Sequence, residues 1–186
     1  GEYSSREQVP FISPDLSVPT FETLSIGTQL QVISENAKLL PNRSALIGSS
    51  FGGFLALNAL NKLEGLLGAV SKLVLIAPVL DWRRSKVMSP QLLQRWRTMG
   101  SIPKFHSGSN SERELPWSFF EELSTYPEAT LPPSVHCLLI HGFEDEELEF
   151  NDSKHFAERY KGQIEFVGLP GGHELMPSIS EMVSHI

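Results

Sequence analysis

A single cysteine, Cys137, leaves no partner for an internal disulfide. It lies in the apolar run of residues 135–140, where a buried and inert thiol fits better than a nucleophile. No apolar run approaches the ~20 residues that a membrane-spanning helix needs. Positive charge is scarce as well: 15 Lys and Arg stand against 22 Asp and Glu, a formal net charge of −7. That balance argues against nucleic acid or an anionic membrane as a partner. Residues 1–20 contain Pro10, Pro14 and Pro19 and no apolar stretch of signal-peptide length. Repeats and low-complexity tracts are missing too. These absences point to a soluble cytoplasmic protein with a small-molecule substrate, and they set no oligomeric state.

What is present suits a single domain over residues 1–186: 40% of the residues are hydrophobic and 20% charged. Short apolar runs alternate with helical periods. Residues 9–12 have strand character, closed by Pro14. Ile26, Leu30, Ile33, Ala37 and Leu40 share one helical face, and Pro41 ends it. Strands are expected at residues 45–47, 73–77, 138–140 and 164–169. Helices are expected at residues 51–63, after Asn151, and over 179–186. Strands apolar on both faces belong to a parallel sheet flanked by helices, so the fold class is α/β. In such sheets the active site lies beyond the C-terminal strand ends. Residues 82–133 interrupt the alternation and are longer than a crossover requires. They include all three tryptophans and a helix opening at Ser89-Pro90. This stretch reads as a helical cap over the active site, or as an insertion with a small core of its own.

Gly48-Ser49-Ser50-Phe51-Gly52 follows a strand and opens a helix, the setting of a nucleophile elbow. The glycine frame selects Ser50 over Ser49. Gly48 and Gly52 keep the turn small, and Gly53 lets the helix pack closely. The backbone N–H of Phe51 is then placed to act as an oxyanion donor. A serine hydroxyl needs a base, and in this chain order the acid comes next and the histidine last. Of six histidines, His173 alone sits in a glycine-rich loop after the last strand. Asp145 follows the third strong strand among Glu144, Glu146, Glu147 and Glu149; Asp81, after the second strand, is its rival. The acidic run lacks calcium-loop spacing, so neither metal nor cofactor is expected. Arg83, Arg84, Lys86, Arg95, Arg97, Lys104 and Arg113 bias the 82–133 stretch positive, either to steer anionic substrates or as a solvated surface.

In this order, these residues resemble the α/β-hydrolase superfamily and, more narrowly, the small YqiA-like esterases. The matching segments are Ser13-Pro14-Asp15-Leu16, Leu46 through Gly53, Leu73 through Pro78, His141-Gly142 with Asp145, and Gly172-His173. The resemblance implies an α/β-hydrolase fold and a serine esterase hydrolysing carboxylic esters or thioesters through an acyl-enzyme on Ser50. Its catalytic triad would be Ser50, His173 and Asp145, with no cofactor. Such proteins open with a strand ending in a His-Gly loop that gives the second oxyanion donor. The chain begins downstream of that point on this reading, so the N-terminal strand is expected to be absent and the sheet to carry a central gap. Two other functions compete with the esterase: a hydrolase-fold protein that binds a ligand or partner without turnover, and a serine peptidase.

Overall fold

Ser25 starts the first helix by accepting the Thr28 N–H on its hydroxyl. The carboxylate of Glu122, distant in sequence, takes the next two free donors, Ile26 and Gly27, at 2.7 and 2.8 Å. The computed structural model that shows these contacts describes residues 11–106 and 108–186. The strand expected at residues 9–12 lies partly outside them, and Phe11 and Ile12 have no regular structure. Helix α1 (Ile26–Ala37) buries Ile26 and Leu30 and stops ahead of Pro41. It leads to β1 (Ser44–Ser49), α2 (Phe51–Lys62), α3 (Glu64–Ala69) and β2 (Val70–Ile76). The chain ends through β5 (His136–Gly142), α6 (Phe150–Arg159), β6 (Ile164–Leu169) and α7 (Ile179–His185), after an insertion described below.

The strands lie side by side in the order β1-β2-β5-β6, every pair parallel. This is the α/β architecture the apolar runs imply, because parallel strands need helical crossovers that cover both faces. The expected central gap is not seen. The four strands adjoin without interruption, and among the described residues the sheet's edges are β1, which pairs with β2, and β6, which pairs with β5.

The two faces are unequal. One carries the main core, where Phe54, Leu55 and Leu57 of α2 pack on Leu73, Leu75 and Leu139. The other holds a small cluster of Val74, Leu138, Ile140, Leu169 and Leu175, with Met182 of α7 against it. Burial on both faces therefore holds for β2 and β5 but not for β1, whose Ile47 is 46% exposed.

Residues 82–133 form α4 (Pro90–Met99), a hairpin of β3 (Ser101–His106) with β4 (Ser111–Pro116), and α5 (Trp117–Leu123). Ser89 caps α4 by accepting the Leu92 N–H, with Pro90 in the first turn. Trp96 is fully buried and donates its Nε1–H to the Leu115 carbonyl at 3.0 Å. Trp82 and Trp117 pack around Phe120. The hairpin lies beyond a purely helical reading. Among its described residues only Ile102 and Leu115 are buried, and Pro103 interrupts the strand signal, so neither an apolar run nor a clean alternation marks it. Among the described residues no helix is long and apolar enough to cross a membrane.

Candidate active site

Ser50 sits on the turn between β1 and α2 with φ 51° and ψ −121°. For a residue with a side chain this is a strained backbone that the surroundings must enforce. They do so with hydrogen bonds: the Ser50 N–H donates to the Ile76 carbonyl, and the Ser50 carbonyl accepts from Gly53 and Val79. Close packing adds to this. A Cβ at Gly48 would lie 2.6 Å from the Gly52 carbonyl oxygen, and one at Gly53 would lie 2.6 Å from Pro78 Cβ. Gly52 differs from the expectation, because a Cβ there would meet nothing within 4 Å. Crowding thus demands glycine at positions 48 and 53. Phe51 begins α2, so its N–H has no acceptor within the helix.

His173 comes to this turn on the loop after β6. The loop crosses directly over Gly142, where a methyl group would collide with the Gly171 and Gly172 carbonyls. The Glu144 N–H donates to the Gly171 carbonyl at 3.0 Å, and Ser178 Oγ donates to the Pro170 carbonyl at 2.7 Å. So held, His173 places Nε2 2.9 Å from Ser50 Oγ and Nδ1 2.8 Å from Asp145 Oδ2.

The Asp145 carboxylate has no solvent exposure. Its Oδ1 accepts the N–H groups of Glu147 and Leu148, each at 2.8 Å. Burial opposes its ionisation, but the N–H groups of Leu148, His173 and Glu147 outweigh burial and hold the carboxyl below its usual range. An ionised Asp145 only accepts, so the His173 Nδ1 carries the proton and Nε2 is free to accept from the Ser50 hydroxyl. Chemically, such an arrangement can raise the nucleophilicity of a serine oxygen and hold the proton it releases.

The structure brings Ser50, His173 and Asp145 into one line and leaves Asp81 elsewhere. Asp81 accepts from Arg83 Nε at 2.6 Å and lines a separate charged cleft with Arg84 and Glu128. Cys137 is buried away from the line, its thiol pushed up to about 12 by desolvation. A cavity of about 330 Å³ opens at Ser50 and His173, walled by Ser49, Ile76, Glu147, Glu174 and Met182. None of these belongs to residues 82–133. That insertion meets the site's surroundings through Phe119 of α5, whose ring lies 5.5 Å from Phe51, and through Lys86, which bonds Glu147. None of its basic residues lines the cavity. Arg83, Arg84, Lys86 and Arg113 pair with Asp81, Asp152, Glu149 and Glu22.

Three residues of this neighbourhood carry no clear signal in the sequence. Lys86 donates its backbone N–H to the Glu147 carbonyl and its Nζ to the Asp145 carbonyl, at 3.0 and 2.9 Å. His141 and Ser153 are buried next to Asp145. The clues to His141 are its place in the matching His141-Gly142 segment and its spacing, four residues ahead of Asp145 across the turn that ends β5.

Proteins of known structure share this architecture. A candidate hydrolase of Agrobacterium vitis S4 is 17% identical, with a TM-score of 0.66 over 89% of this chain and 68% of that one. A monoacylglycerol lipase of Paleococcus ferrophilus is 16% identical, with a TM-score of 0.60 over 90% and 78%. The thioesterase domain from the curacin biosynthetic pathway is 15% identical, with a TM-score of 0.55 over 90% and 75%. At these identities the likeness shows the α/β-hydrolase fold. No curated protein matches the chain. The model of the prolyl oligopeptidase family matches residues 28–165, a span that contains Ser50 and Asp145 and stops ahead of His173. By that match over most of its length, the chain belongs to the prolyl oligopeptidase family.

Proposed function

We propose that the protein is a serine hydrolase that cleaves carboxylic esters or thioesters of small substrates through an acyl-enzyme on Ser50. The observation that carries this reading is the hydrogen-bonded line from Ser50 Oγ through His173 to Asp145 Oδ2, at 2.9 and 2.8 Å. Ser50 attacks the carbonyl carbon while His173 takes its proton. The Asp145 carboxylate orients the ring and stabilises the imidazolium. The first N–H of α2, on Phe51, is one donor for the developing oxyanion. His173 then returns the proton to the leaving oxygen or sulfur, and water releases the acyl group by the same steps. No step calls on a cofactor. A lipase and a thioesterase share the fold, which agrees with ester chemistry.

A fluorophosphonate probe followed by peptide mapping tests this reading, because labelling requires an activated serine. Label on Ser50 with turnover of p-nitrophenyl esters is the expected result; an unlabelled Ser50 would leave a fold that binds without turnover. Peptide cleavage is the second reading, favoured by the prolyl oligopeptidase family match. It replaces the first if amide substrates turn over while esters of the same acyl group do not.

A further inference from the structure

His141 closes β5 with its ring 1% exposed, and it does not line the cavity. Its Nε2 lies 3.0 Å from Asp145 Oδ2, the oxygen that His173 also approaches. Its Nδ1 lies 2.7 Å from Ser153 Oγ in α6. With Glu147 and Leu148 on Oδ1, four N–H groups meet a carboxylate that has about four acceptor sites. Because the carboxylate only accepts, His141 carries its proton on Nε2. A neutral ring then has a bare Nδ1, so the Ser153 hydroxyl is the donor to it. Burial pushes the His141 imidazole below the usual histidine range, against the pull of Asp145, and so favours that neutral form.

We propose that His141 is a positioning residue for the Asp145–His173 pair, its Nε2–H held in that tautomer by Ser153 and sharing Asp145 Oδ2 with His173. This rests on the roles given above to Ser50, His173 and Asp145. The shared oxygen has two effects. It fixes the plane of the carboxylate, since Oδ1 is held by the loop and Oδ2 by the strand. It also drains negative charge from the carboxylate, so that Asp145 stabilises the His173 imidazolium less than a bare carboxylate would. The charged and titratable groups facing His141 are Asp145 directly and His173 across it. From α6 it meets Ser153 and the Phe150 ring, and beyond the carboxylate Lys86 binds the Asp145 backbone carbonyl.

Titration of His173 by NMR on histidine-labelled protein, alongside kcat/KM for p-nitrophenyl acetate over the same pH range, tests the proposal. His141→Phe removes the donor and should raise the His173 midpoint by about one unit, moving the acid limb of kcat/KM with it. Ser153→Ala should shift it in the same direction by about half as much. His141→Gln, whose amide reaches toward Oδ2 with a donor, should move it back toward the wild-type value. If His141→Phe does not melt cooperatively, Ser153→Ala decides alone, since it removes one oxygen. A folded variant with a wild-type midpoint overturns the proposal, even if its turnover is lower at every pH, because His141 would then only pack. A shifted midpoint in a chain that hydrolyses no ester leaves His141 in this role and removes the esterase reading. Unshifted midpoints with intact turnover do the opposite.

Discussion

Ser50 and Asp145 stand at the two ends of one hydrogen-bonded line, yet they are held in opposite ways. Ser50 follows an edge strand, in a strained backbone, on the wall of an open cavity. Asp145 follows β5, which is paired on both sides, and every acceptor site on its carboxylate is filled out of contact with water. The serine end keeps a hydroxyl accessible and stores strain around it. The acid end is built like a core. Function and stability should therefore separate at Ser50 and remain entangled at Asp145.

The largest effect should come from Ser50→Ala. Its kcat should fall by a factor on the scale of ~10⁶, while the melting temperature stays near the wild-type value. Ser49→Ala should leave both close to wild type; a lethal Ser49→Ala would mean that the other serine is the nucleophile. Next, Asp145→Asn should lower kcat roughly 10⁴-fold. Unlike the serine change it should also destabilise, by about 1–3 kcal/mol, because an amide N–H₂ now faces N–H donors. If calorimetry shows unchanged stability for Asp145→Asn, the two ends are not held differently.

The serine end has its own internal contrast. Gly48→Ala should destabilise by about 1–3 kcal/mol, since its methyl group meets the Gly52 backbone. Gly52→Ala enters open space and should change stability by less than about 1 kcal/mol in urea titrations.

The smallest effect is the pH dependence of stability. The Asp145 carboxyl titrates lower folded than unfolded, so the stability it contributes is present above about 3.9 and is lost as pH falls through the lower folded value. The His141 imidazole also titrates lower folded, so below about 6.5 the unfolded chain binds a proton that the folded chain refuses. Both groups make stability rise with pH. The melting temperature should fall gradually from about pH 7 to about pH 3. His141→Phe should remove the decline above about pH 4 and spare the decline below it, where Asp145 acts.

Much of this architecture is legible in the chain itself. The run at residues 138–140 lies within β5 and that at 73–77 covers the end of β2, since strands buried between helices leave unbroken apolar stretches, and residues 164–169 form β6. The helix from Ser89-Pro90 is announced by its cap. The glycine frame around Ser50 and the glycine loop around His173 point to residues that come within 2.9 Å of each other, because tight turns leave compositional marks. Three things leave none. The β3–β4 hairpin buries too little to create a pattern. The exposure of Ile47 depends on what lies beyond β1, which a local run cannot register. The partnership of His141 with Ser153 joins a strand to a helix through two hydroxyl- and imidazole-bearing side chains that look, in sequence, like ordinary polar residues.

The clamp that Lys86 places on the acid loop has a kinetic meaning. Its N–H is bonded to Glu147, its ammonium reaches the Asp145 carbonyl, and Arg84 beside it pairs with Asp152. The loop cannot open without releasing the chain that leads into the insertion. The amide protons of Lys86, Glu147 and Leu148 should accordingly exchange with solvent deuterium at one common rate, as a single cooperative unit. Each excursion of that unit would undo the hydrogen bonds that hold Asp145, so the deuterium rate at Lys86 clocks how often the acid is lost from its place.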